Sequence, residues 1–356
     1  VTKITIRTNT HRKPQPEGTD LAFGRYFSDH MFVMDFERKR GWYDPRIVPY
    51  GPLELDPAAA VLHYGQEMFE GLKARRCVDG KIRLFRPDRH ARRMQQGAER
   101  LCMPPVDAAT FLTAVQELVK IDQEWVPRAA ESSLYIRPTL VANEAFLGVR
   151  PSDRYVFFII ASPVGAYYAE GFGPVKIWVE DECVRAPRGG LGAVKAGANY
   201  VASLYASERA KKLGYTQVLW LDAKEHRYFE EVGTMNLFVA FEDEIVTPPL
   251  EGSILDGVTR DSVMTLLREW GHRVTERPIA IDEVFEAANR GDLREVFGTG
   301  TGAVISPVGE LAATRGKATV QGGKPGEISK RLFAALTDIQ YARVPDTRGW
   351  LVEVDV

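Results

Sequence analysis

Cysteine is scarce in this 356-residue chain: Cys77, Cys102 and Cys183 are the only three, and no two are spaced as CxxC. An odd, scattered set excludes a disulfide framework and predicts buried apolar thiols in a reducing, intracellular setting. The six histidines form no HExxH or HxxxH pair, so no metal site is expected. Excess charge of one sign is also missing. The 46 Lys and Arg against 48 Asp and Glu leave a net charge of −2. That excludes the broad basic surface of a nucleic-acid or anionic-membrane partner, while leaving room for a small cationic pocket. Long apolar runs are absent too. A prominent one, Tyr155 to Ala161, spans seven residues and is followed by Ser162-Pro163. It predicts a buried strand rather than a membrane span. Residues 1–7 lack the apolar core of a signal peptide, so the expected location is cytoplasmic. No GxxxxGK[ST], and no GxGxxG in the proper context, points to a nucleoside triphosphate or dinucleotide.

The remaining composition is that of a globular protein, 45% hydrophobic and 26% charged, with a length that suggests about two domains. Strands are predicted over 31–36, 81–85, 134–137 and 155–162. A basic amphipathic helix is predicted over 88–102, with Met94, Ala98 and Leu101 on one side, and a second helix over 107–121. The stretch from Pro163 to Pro174 is punctuated by glycine and proline and reads as a linker. Beyond it, strands are predicted over 175–180, 217–221, 235–241 and 244–247, with a short one at 294–297. Helices are predicted over 199–213, 260–270 and 282–289. Asn199 is the expected N-cap of the first of these and Gly214 its stop. The fold class is therefore α/β or α+β. The expected division is a smaller domain over 1–163, a loop over 164–174 and a larger domain over 175–356.

Lys195 sits in Ala186-Pro187-Arg188-Gly189-Gly190-Leu191-Gly192-Ala193-Val194-Lys195-Ala196-Gly197-Ala198-Asn199-Tyr200. It is the only ammonium among four glycines and four alanines. A solvated loop lysine needs no such surroundings, whereas a lysine that bonds to a flat, bulky partner does. Two segments look able to hold a phosphate. Gly257-Val258-Thr259-Arg260 opens a helix, where free N–H groups and the dipole favour an anion; an ordinary cap at Thr259 is the plain alternative. Gly298-Thr299-Gly300-Thr301-Gly302 follows a strand and offers amides and hydroxyls; a simple turn is the alternative. In Glu231-Val232-Gly233-Thr234-Met235-Asn236 a carboxylate precedes a glycine turn and a strand. If buried, it needs a cation or a proton; a solvated hairpin glutamate, with Glu230 beside it, is the alternative. A lysine, a phosphate nest and a placed carboxylate together suggest pyridoxal 5′-phosphate.

In order along the chain, the K-x-G-x-N-Y and E-x-G-x-x-N elements resemble the branched-chain amino acid aminotransferases of the fold-type IV pyridoxal-phosphate class. Further matches are Phe23-Gly24, Leu62-His63-Tyr64-Gly65, Phe69-Glu70-Gly71, Tyr135-Ile136-Arg137-Pro138, Gly257-Val258-Thr259-Arg260 and Leu336 to Tyr341. The resemblance implies a two-domain architecture with the cofactor at the domain interface, and a homodimer. It implies transamination of leucine, isoleucine and valine with 2-oxoglutarate, giving glutamate. Lys195 would carry the Schiff base and shuttle the proton, and Glu231 would face the pyridine nitrogen. Tyr200 would face the phenolic oxygen, and Thr234 would add a contact. Arg93, Val258, Thr259 and Thr301 would hold the phosphate, with Arg89 and Arg92 as solvated helix charges. Phe23, Tyr64, Phe69 and Tyr167 would line the substrate pocket. Tyr135 and Arg137 would supply polar contacts, Arg137 to the γ-carboxylate of glutamate. Thr301, Gly302 and Ala303 would bind the α-carboxylate. Leu147 and Val149 lie in a loop that resembles one reaching into the neighbouring subunit's site. Ala303 and Ser306 stand where mammalian relatives carry a redox-sensitive CxxC, so thiol regulation there is not expected. Another fold-type IV activity, or a non-catalytic cofactor binder, would share only part of this set.

Overall fold

A computed structural model describes residues 3–16, 21–165 and 172–356. The chain forms two compact units: Val1–Tyr167 with Val194–Gly197 and Asp338–Val356, and Tyr168–Ala193 with Ala198–Thr337. The expected cut kept all of 175–356 together. Two pairings explain the difference. Leu351–Val354 adds antiparallel to Ile82–Phe85, drawing the C-terminal segment into the first sheet. The amide of Phe69 donates to the carbonyl of Lys195 at 3.0 Å, tying the lysine segment to the same unit.

The first unit is built on a largely antiparallel sheet. Its strands run in the order Thr5–Ile6, Gly41–Pro49, His30–Glu37, Arg154–Val164, Ser133–Ala142, Leu72–Arg76, Ile82–Phe85 and Leu351–Val354, with Glu67–Phe69 also paired to Ser133–Ala142. The two central strands are longer than the periodicity predicts, because each extends the other's ladder from Ser133↔Val164 to Ala142↔Tyr155. Phe32, Leu134, Ile136, Phe157 and Ile159 are fully buried in this unit. Each contributes about 1.5–3 kcal/mol by leaving water. The helices Pro87–Arg100 and Ala108–Ile121 stand where the sequence predicts them. Asp107 caps the second, accepting from the amide of Thr110 at 2.9 Å, which satisfies one of the helix's orphan donors.

In the second unit the strands follow the order Phe229–Val232, Gln217–Leu221, Val175–Glu180, Val304–Ala313, Leu293–Gly300, Met235–Phe241, Ile245–Thr247 and Val274–Glu276. Phe229–Val232 also pairs with Met235–Phe241, closing a ring of strands. Gly233, with φ +59°, makes the tight turn between those two. Helices of this unit include Gly197–Lys212, Val258–Glu269 and Ile281–Arg290, and most of Glu327–Gln340.

Three local expectations are corrected. Asn199 is not an N-cap: it lies inside the helix and donates from its side chain to the carbonyl of Leu191 at 2.8 Å. The strand at 294–297 runs on to Gly300, so Gly298 and Thr299 belong to a ladder rather than to an open loop. Of the cysteines only Cys77 is buried; Cys183 is half-buried and Cys102 exposed, the last at a left-handed position just past a helix end.

Candidate functional site

In the first unit a charged cluster forms around Glu70, which is 0% exposed. Arg93 grips its carboxylate with both ends of the guanidinium fork, Nε to Oε1 at 2.6 Å and Nη2 to Oε2 at 2.9 Å. The His90 ring and the amide of Gly71 complete the shell at 2.9 and 3.1 Å. His90 and Arg93 meet there because three residues separate them on one helix, one turn apart. Burial opposes the Glu70 charge, but Arg93 and His90 outweigh it and hold the carboxyl far below the usual carboxylate range. Burial also pushes the His90 ring below its ordinary value, so it is neutral at pH 7. The Nδ1–H tautomer is the one a carboxylate acceptor selects.

Lys195 belongs to this unit. Burial lowers its ammonium pKa; Arg93 and Arg137 lower it further, while Tyr135 and Glu70 oppose them. The effect favours the neutral amine that a nucleophile needs. Its Nζ lies 4.9 Å from the centre of the Phe69 ring. Tyr135 and Arg137 are two residues apart on one strand and so share a face. The Arg137 guanidinium donates to the Tyr135 hydroxyl at 3.2 Å and lies 4.3 Å from the Phe69 ring. Phe23 packs edge-on against Tyr135, with centroids 4.9 Å apart. Strand period and packing thus bring Phe23, Phe69, Tyr135, Arg137 and Lys195 together. Tyr64 points elsewhere within its unit, donating to the carbonyl of Leu147 at 2.7 Å beside the exposed Leu147 and Val149. Arg92 is exposed on its helix, as expected. Tyr167 lies outside the described residues.

In the second unit the register sets Glu231 opposite Asn236, and Asn236 opposite Thr299. Directly opposed residues share a face, so a carboxylate, an amide and a hydroxyl stand in one row. Glu231 is 3% exposed, which excludes the solvated hairpin alternative. It accepts from the amide of Leu255 at 2.9 Å and pairs with Arg185 Nε at 3.1 Å. That Nε–H does not point along the contact and makes no hydrogen bond, so the attraction there is an ion pair. Asn236 donates to the carbonyl of Leu255 at 2.8 Å.

The helix at Val258 starts from Gly257, whose side is free of any side-chain cap, so Thr259 is not a cap. A Cβ on Gly257 would lie 1.9 Å from Asn236 Oδ1, so any larger residue would displace that amide. Thr299 Oγ1 is buried without a hydrogen-bond partner among the described residues. Thr301 and Gly302 are half-buried in the turn after it, and Ala303 is buried. The next residue, Val304, has φ +63° and is bridged by the Ile305 amide donating to Ala303 at 2.8 Å. A β-branched residue there is strained, and such strain concentrates at functional turns. Thr234 is exposed in the turn beside Glu231, and Tyr200 is half-buried in the helix Gly197–Lys212.

The glycines on either side of Lys195 have a more specific purpose than general clearance. A Cβ on Gly192 would meet the Ser253 carbonyl at 2.1 Å, and one on Gly197 would meet Glu67 Oε1 at 2.0 Å. The Gly197 amide donates to that Glu67 oxygen at 2.5 Å. Glu67, His90, Arg185 and Ser253 carry no motif that sequence reasoning could have used, and Glu70 was visible only as a motif neighbour. Each was found through a partner far away in the chain.

In the second unit, uncapped amides at a helix start, an orphaned buried hydroxyl and a buried carboxylate suit a phosphate and a ring nitrogen; in the first, a lysine biased toward its neutral form suits an aldehyde. Comparison with known proteins agrees. The amino-transferase class IV family model matches residues 67–311. The chain is 52% identical to branched-chain-amino-acid aminotransferase 2 of Bacillus subtilis over 356 residues, 99% of this chain and 98% of the relative. The branched-chain aminotransferase of Escherichia coli superposes with a TM-score of 0.76 at 26% identity, over 92% of this chain and 99% of that one. The branched-chain aminotransferase of T.th., complexed with N-(5′-phosphopyridoxyl)-L-glutamate, gives a TM-score of 0.74 at 26% identity, over 90% and 98% of the two chains. The chain belongs to the class IV aminotransferases, enzymes that depend on pyridoxal phosphate. It has the fold-type IV architecture of the branched-chain enzymes it matches.

Proposed function

We propose that the protein transfers amino groups between leucine, isoleucine or valine and 2-oxoglutarate, yielding branched-chain 2-oxo acids and glutamate. The observation that carries this is the surroundings of Lys195: an amine favoured in its neutral form, with apolar Phe69 and cationic Arg137 both at hand. One set of walls must accept an aliphatic chain in one half-reaction and a carboxylate in the other. Phe23, Phe69 and Tyr167 would serve the first task; Arg137, steadied by Tyr135, would serve the second. The structural relative complexed with a phosphopyridoxyl-glutamate supports glutamate as one partner.

Pyridoxal phosphate, when bound, supplies an aldehyde that condenses with amines and a ring that accepts the electron pair of the substrate α-carbon. Lys195 would hold it covalently and, once displaced by substrate, its free amine would carry the α-proton as general base and acid. Glu231 would keep the ring nitrogen protonated. Arg93, Thr301 and the start of the helix at Val258 and Thr259 would hold the phosphate. Glu70 and His90 fix the Arg93 fork for that purpose. Tyr200 would face the phenolic oxygen, with Thr234 as a further contact. The amides of Thr301, Gly302 and Ala303 would take the substrate α-carboxylate.

Leu147 and Val149 would complete the site of a second copy in a homodimer. Exposed Val201, Leu204 and Tyr205 on one helix support such an association. No helix among the described residues is long and apolar enough to cross a membrane; the expected location is the cytoplasm.

The test is spectroscopic. Leucine, isoleucine or valine added to the yellow holoenzyme should bleach its visible band as the amino group is taken up. An unchanged spectrum with all three would refute the substrate assignment.

A further inference from the structure

Glu230 and Glu231 are neighbours on one strand, so their side chains leave on opposite faces. Both are buried, at 6% and 3% exposure. A short network joins them. Arg185 pairs with Glu231 through Nε and donates from Nη2 to the carbonyls of Gly192 and Ser253, at 2.9 and 2.7 Å. The Ser253 hydroxyl donates to Glu230 Oε1 at 2.5 Å. Glu230 Oε2 is buried and has no hydrogen-bond partner among the described residues. Glu230 also lines a cavity of about 500 Å³, whose walls include Tyr228, Pro248, Pro278 and Ile254. That cavity is lined from this unit alone, on residues the aminotransferase reading leaves unused.

The charges in this network do not balance once a protonated ring nitrogen joins it. Arg185 already neutralises Glu231 one for one. A pyridinium beside Glu231 adds a second cation, and a buried charge without a counter-charge is strongly destabilising. Two cations need two carboxylates. We propose that Glu230 is the second: it releases its proton when the cofactor's ring nitrogen is protonated, so the buried group stays neutral. This rests on the reading of Glu231 as the ring-nitrogen partner. The proton leaves Glu230 through the cavity to solvent, while the ring nitrogen keeps the one it holds; no other bond changes. Glu230 is thereby a positioning residue that acts on the cofactor through Arg185 and Ser253.

The electrostatics suit that role. Burial pushes the Glu230 carboxyl up to about 7, and Glu231 and Asp222 add to the rise; the Ser253 hydroxyl and Arg185 oppose it. Before the ring nitrogen arrives, Glu230 therefore stands near its midpoint at neutral pH, able to change state for little cost. The other charged groups around the cavity are otherwise engaged or open to water. Arg188 pairs with Glu251, and Lys224 and Glu225 are exposed.

The experiment uses holoenzyme reconstituted with ¹⁵N-labelled pyridoxal phosphate, as wild type, Glu230→Gln, Glu230→Asp and Glu231→Gln. The ring-nitrogen chemical shift is followed from about pH 6 to 9, a range that spans the Glu230 transition. Glu230→Gln should lower the ring-nitrogen pKa by about one unit, the scale of a lost charge interaction at intermediate dielectric. Glu230→Asp should restore most of it. Calorimetry of cofactor uptake, in two buffers of different ionisation heat, should count roughly half a proton more released by wild type than by Glu230→Gln at pH 7. A ring-nitrogen titration and proton count unchanged in Glu230→Gln overturn the proposal. Should that variant not fold, a Glu230→Asp enzyme with a proton count independent of pH overturns it instead. Glu231→Gln separates the two readings: if it leaves the ring nitrogen protonated as in wild type, the assignment of Glu231 itself fails.

Discussion

Removing the Glu70 carboxylate should be among the most damaging single changes in the first unit. Glu70→Ala deletes the acceptor for two guanidinium N–H groups, one imidazole N–H and one amide. It also leaves the mostly buried Arg93 charge uncompensated. Breaking a buried pair by removing one partner costs about 3–5 kcal/mol. For units of this size that corresponds to a fall in Tm of roughly 10 °C or more. Glu70→Gln keeps the shape and loses the charge, and should fall between alanine and wild type. The pH dependence has a definite sign. The Glu70 carboxyl is depressed in the folded state, so its contribution is full above the ordinary carboxylate value, about 4.3, and fades as pH falls below it. His90 is also depressed, so the unfolded chain binds its proton first; that contribution fades from about pH 6.5 downward. Urea unfolding of cofactor-free protein at about pH 7.5, 5.0 and 3.5, followed by circular dichroism, separates the two, because His90 changes between the first pair and Glu70 between the second. A Glu70→Ala protein within about 1 kcal/mol of wild type would refute the argument, because no buried pair loses a partner at so small a cost. A double variant with Arg93→Met should recover part of the loss, since it removes the stranded cation as well.

Lys195→Ala should abolish steady-state transamination while leaving some phosphate-anchored cofactor; retained turnover would rule out its assigned role. Arg137→Ala should weaken 2-oxoglutarate and glutamate by about 30- to 100-fold, the value of one or two charge-assisted hydrogen bonds, and leucine far less. Equal losses in kcat/KM for both substrate classes would contradict dual recognition. Gly192→Ala places a Cβ 2.1 Å from a main-chain carbonyl that cannot swing away. It should cost about 1–3 kcal/mol by overpacking, visible as a lowered Tm; an unaltered Tm would mean the Ser253 segment yields.

Local chemistry was enough to place several elements. Short, largely apolar runs located the strands Val175–Glu180, Gln217–Leu221 and Met235–Phe241 at their observed bounds. Ordered motifs singled out Lys195, Glu231 and the helix start at Val258, because each needs a residue type that its neighbours restrict. Pairing at a distance could not be read in the same way. Strands such as Gly41–Pro49, with a proline inside, have weak patterns and exist because a neighbour's ladder accepts them. Glu70 with Arg93, Arg185 with Glu231, and Ser253 with Glu230 join residues 23, 46 and 23 positions apart in the chain. Whether such a carboxylate is solvated, paired or protonated depends on its burial and on what faces it. The sequence alone determined which side chains are available for the chemistry. Tertiary structure decided their charge states, because a desolvated charge persists only where the fold brings it a partner.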